Sequence, residues 1–75
     1  MEAKERAGEL LRNMRIEYGL SQKGVADQVN EMQTPGVTLC ERHYRRIEKG
    51  EMVPSVLLAM SVCYVLDVDV YQIWG

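Results

Sequence analysis

Apolar residues recur along this chain at helical spacing, in stretches separated by turn-forming residues. Ala7, Leu10, Leu11 and Met14 make the first stripe, with Tyr18 one turn on. They predict a helix over 3–18 that Gly19 ends. Ser21 suits the N-cap of a second helix, 22–31, which turns Val25, Ala26 and Val29 inward. Gly24 inside it costs up to about 1 kcal/mol relative to Ala, too little to cancel the pattern. Gln33, Thr34, Pro35, Gly36 and Val37 read as a loop around a Pro-Gly turn. A third helix is predicted over 39–49: Thr38 and Glu41 have the spacing of a capping box, and Gly50 suits its end. Pro54 makes Val53 extended in the next connector. Ser55 can cap a fourth helix, 56–66, and Asp69 a short fifth, 70–74. Val62 to Val70 is β-branched enough to keep a strand as the minor alternative. The expected fold is all-α, a compact five-helix domain.

The third helix carries two opposed faces. Arg42, Arg45, Arg46 and Lys49 stand at i, i+3, i+4 and i+7 and share one side, while Cys40, Tyr44 and Ile47 share the other. One side can pack on a core and the other presents four cations. A short cationic helix of this kind fits the major groove of DNA. The stripe by itself describes a solvated basic face equally well.

Length and charge narrow the choice. Seventy-five residues make one domain, 1–75, and 47% hydrophobic with 27% charged residues is a folding composition. No apolar run reaches the roughly 18 residues of a membrane helix, and the charged N-terminus lacks a signal-peptide core. The expected compartment is the cytoplasm. A formal net charge of −2 counts against nucleic-acid binding. The charge is uneven, however: residues 1–50 hold all nine Lys and Arg, whereas 51–75 hold Glu51, Asp67 and Asp69 and no cation. A local positive face can therefore coexist with a negative total.

Cys40 and Cys63 are too few for a disulfide framework, and both are expected to face inward as small apolar residues. Cys40 and His43 could lie close together, but a zinc site usually needs four ligands and no second pair is suitably spaced. No metal and no other cofactor is expected. One histidine without clustered acids, no glycine-rich phosphate loop and a chain too short for a substrate pocket beside its core argue against an enzyme.

Three pieces resemble one family. The run from Leu11 to Ala26 contains Arg15, then Gly19-Leu20-Ser21-Gln22, then the Val25-Ala26 pair. Arg46-Ile47-Glu48-Lys49-Gly50 is followed by Pro54-Ser55, and Leu66 to Ile73 reads as a leucine, a turn and a short helix. In order and spacing, over about 7–73, they resemble the helix-turn-helix domain of phage repressors, Cro and the xenobiotic-response-element-type regulators. The resemblance implies a lambda-repressor-like fold and double-stranded DNA as partner. It places Ser21 and Gln22 on a phosphate, and Glu41, Arg42, Arg45 and Arg46 on the outward side of the recognition helix. Arg42 and Arg46 are the expected base readers, since a guanidinium bonds guanine O6 and N7 together. Arg45 and Lys49 are expected on phosphates, Glu41 paired with Arg45, and His43 partly buried and hydrogen-bonded. Arg15 and Glu48 match positions that form a structural ion pair in the family.

The chain departs from the family pattern twice. Its connector between the second and third helices is longer than the usual tight turn, with the extra residues around 31–37. Leu57, Leu58, Tyr64 and Tyr71 stand where the pattern is polar, and with Trp74 they would leave an apolar surface. A homodimer joined through Leu57, Tyr64, Tyr71 and Trp74 is the expected explanation. The expected function is a transcriptional regulator, dimeric on a pseudo-palindromic operator, with helix 39–49 in the major groove. Phage repressor, restriction-modification controller and antitoxin all fit this description. The rival is an interaction module of the same fold that has lost DNA binding and serves a protein partner.

Overall fold

Five helices make up the regular structure of the described residues, 2–75, in the computed structural model. They are α1 (Ala3–Glu17), α2 (Gln22–Glu31), α3 (Glu41–Glu48), α4 (Val56–Val65) and α5 (Val70–Trp74), with no strand among the described residues. Most boundaries follow from local caps. Ser21 Oγ accepts from the Gly24 amide at 2.9 Å, Ser55 Oγ accepts from the Leu58 amide at 3.4 Å, and Asp69 with Gln72 closes a capping box.

α3 begins two residues later than its pattern suggests, and the Thr38–Glu41 capping box is not formed. Its N-cap is Cys40, whose Sγ accepts from the His43 amide at 3.4 Å. The cause is Leu39. Its side chain is buried, and both of its backbone groups are bound by Asn30: the Leu39 N–H donates to Oδ1 at 2.8 Å, and Nδ2 donates to the Leu39 carbonyl at 2.7 Å. A residue held on both sides in this way stays outside the helix. Cys40 therefore lies at the surface rather than on the inner face, while Cys63 is buried. At the other end, Gly50 (φ +74°) turns the chain left-handed. Its N–H donates to the Ile47 carbonyl at 3.1 Å and that of Glu51 to the Arg46 carbonyl at 3.0 Å, which forms a Schellman motif.

Leu11, Val25, Val29, Tyr44, Ile47, Val62, Leu66 and Ile73 form the centre of the core, each at most 1% exposed. α1 packs on α3 and α5, and α2 packs on α3 and α4, so α3 is held between the first two helices. α1 and α3 touch backbone to backbone at Gly8. A Cβ there would stand 2.7 Å from the Ile47 carbonyl oxygen and overlap that of Glu48. The long connector is docked, because Val37 and Leu39 reach into the core.

Three apolar positions differ from expectation. Tyr18 does not complete the α1 stripe; it is half-exposed, and its hydroxyl donates to Asp67 Oδ2 at 3.4 Å. Leu58 faces the core, since α4 carries apolar residues all round. Trp74 is packed partly against the core rather than presented freely. No described helix is long and apolar enough to cross a membrane.

Candidate nucleic-acid interface

α3 directs Tyr44, Ile47 and Glu48 inward and Glu41, Arg42, Arg45 and Arg46 outward, with Lys49 exposed at its C-cap. The four cations thus share one exposed face. They are not equivalent. Arg46 Nε lies 3.4 Å from Glu51 Oε1, and Arg45 Nη2 lies 3.3 Å from Glu41 Oε2. Both pairs are exposed, where such contacts are weak and easily exchanged for a phosphate. Among the described residues, Arg42 and Lys49 have no acid within ion-pair distance.

Beneath this face lies a polar layer. Arg15 from α1 donates to Glu48 through Nε at 2.7 Å and Nη2 at 3.2 Å, and its Nη1 donates to the Leu20 carbonyl at 2.9 Å. The Glu48 side chain is 3% exposed, so it sits among groups that must neutralise it. Its hydrogen bond holds the Arg15 guanidinium more firmly protonated. Gln22, first residue of α2, donates from Nε2 to Glu48 Oε1 at 3.1 Å and accepts at Oε1 from Arg45 Nε at 3.1 Å. Tyr44 lies fully buried beside this layer. Its phenol is pushed up, first by burial and then by the nearby Glu48 carboxylate, and its hydroxyl has no hydrogen-bond partner.

The start of α2 adjoins the cationic face through Gln22. Ser21 Oγ is engaged as a cap acceptor, which leaves its O–H to donate. His43 is partly buried as expected, but its Nε2 is enclosed without a hydrogen-bond partner, so the expected bond is not made. The predicted self-association residues do not form one patch with equal exposure. Leu57, Tyr64 and Tyr71 are 54%, 77% and 82% exposed. Leu57 and Tyr64 lie instead on a stripe with Val56 and Met60, at helical spacing along the outside of α4, and exposed Val53 stands in the connector before it.

Comparison with known proteins gives no matching family model, no matching curated protein and no matching solved structure.

Two features were not read from the sequence. The Asn30 clamp joins residues nine apart across an irregular loop, which no periodicity marks. The Arg46–Glu51 contact was legible in principle, as an acid placed just after the Schellman turn.

Proposed function

We propose that this chain is a sequence-specific, double-stranded DNA-binding regulator of the helix-turn-helix type, with α3 in the major groove. The observation that carries this reading is the exposed face of Arg42, Arg45, Arg46 and Lys49, braced from behind by the Arg15–Glu48–Gln22 layer. A bracing layer suits a surface that must meet DNA in one geometry. Arg42 and Arg46 are the base readers, while Arg45, Lys49 and Ser21 meet phosphates. A homodimer formed through the outer stripe of α4 would present two such faces to a pseudo-palindromic operator.

The test is selection of bound duplexes from a random pool at low salt. A palindromic consensus supports the reading, and Arg42→Ala then weakens binding roughly 10- to 100-fold with relaxed preference at one base pair. Failure to enrich any sequence with folded protein overturns specific binding.

A second reading, a protein-interaction module, is favoured by the net charge of −2 and the exposed α4 stripe of Val56, Leu57, Met60 and Tyr64. Under that reading, affinity for DNA is absent or insensitive to salt.

A further inference from the structure

An amide can serve a carboxylate and a guanidinium at once only in one orientation, nitrogen to the acid and oxygen to the cation. Gln22 sits between Glu48 and Arg45 in that arrangement, with 3.1 Å on each side. Glu48 is in turn fixed by Arg15, and Arg15 by the Leu20 carbonyl. A continuous run of hydrogen bonds therefore leads from the backbone between α1 and α2 to the guanidinium of Arg45. Its inner members are largely buried and its last is exposed.

Arg45 is consequently unlike Arg42 and Lys49. Its Nε is committed to Gln22, itself held by Glu48, so its plane is set before any ligand arrives, with one Nη2 hydrogen resting on Glu41. A guanidinium has five N–H donors; the remaining three are available to an anion. The cost of ordering a long, rotamer-rich side chain on binding is thereby reduced in advance.

We propose that Gln22 is a positioning residue for Arg45: it aims that guanidinium at a DNA phosphate instead of contacting the DNA as its own main role. This rests on the DNA-binding reading above. The two roles for Gln22 leave different traces. A neutral amide on a phosphate adds affinity without displacing a counterion, whereas a cation on a phosphate adds to the salt dependence.

The experiment measures affinity for one mixed-sequence duplex over a series of salt concentrations. It compares the wild type, Gln22→Met, Arg45→Ala and the double variant, each shown to be folded by its melting curve. The expected result is that each single variant flattens the slope of log affinity against log salt, by up to about 0.9. The double variant then binds no worse than Arg45→Ala alone. If Gln22→Met does not fold, Gln22→Asn, whose amide falls one methylene short of Arg45, takes its place. An unchanged slope for the Gln22 variant, or losses that add in the double variant, overturns the positioning role while leaving DNA binding intact. A wild type with no salt-dependent affinity overturns the DNA-binding reading itself, and this inference with it.

Discussion

Arg15 and Glu48 lie 33 positions apart and meet at 2.7 Å, tying the end of α1 to the end of α3. Their side chains are only 13% and 3% exposed, so neither charge is well served by water. Removing one partner leaves the other buried and uncompensated, which typically costs about 3–5 kcal/mol. For a domain of this size, Glu48→Ala should lower the melting temperature by about 12 °C or more. Thermal unfolding followed by circular dichroism checks it, and an unchanged curve contradicts the structural role of the pair.

Asn30 makes a second long tie. Both of its amide atoms bond to the backbone of Leu39. Asn30→Ala strands a buried N–H and a buried carbonyl, at roughly 1–3 kcal/mol for a group left unpaired. The Leu39 amide should lose its protection from hydrogen exchange before the amides of α4 do. If protection at Leu39 persists in the variant, the clamp is not what holds the connector.

Cys63 sets a pH dependence. Burial pushes its thiol up from 9.0 to about 11, which means the fold favours the neutral form. Its contribution to stability is therefore complete below pH 9 and is lost as the pH rises toward 11. The raised phenol of Tyr44 acts with the same sign at higher pH. The stability advantage of the wild type over Cys63→Ala should shrink between pH 9 and 11. Denaturant unfolding at several pH values measures this, and a constant difference contradicts it. Thiol labelling of the native protein should modify exposed Cys40 rapidly and Cys63 only on unfolding.

The outer stripe of α4 offers Val56, Leu57, Met60 and Tyr64 to solvent with no charge among them. If it joins two copies, Met60→Asp places like charges at or near the two-fold axis. Sedimentation at low micromolar concentration should then change from dimer to monomer, with the melting temperature of the folded monomer little affected. A wild type that already sediments as a monomer removes the proposal.

The helices with the clearest reading are those whose boundary signals are local. Ser21 and Asp69 cap the helices they precede, and α2 and α5 run over the residues expected of them. The start of α3 was hidden, because it is decided by Asn30, nine residues before Leu39 and on another helix. Gly8 was passed over for a related reason. Nothing around it in the chain shows that the α3 backbone crosses there. The cationic face was visible from spacing alone. Which cations are tethered was not, since the Gln22–Arg45 contact bridges helices whose relative placement only the fold supplies.

Because Asn30 grips Leu39, nine positions on, the excursion over 31–38 is closed at its base like a handle. Lengthening a flexible loop adds only about 0.6 kcal/mol per doubling once its ends are secured. Pro35 and Gly36 sit at the solvent-exposed crest. A peptide epitope or a fluorophore-bearing segment grafted between them should ride on the handle while α3 keeps its attitude toward the rest of the domain. The connector between α2 and α3 is thus a place where the chain can be rewritten.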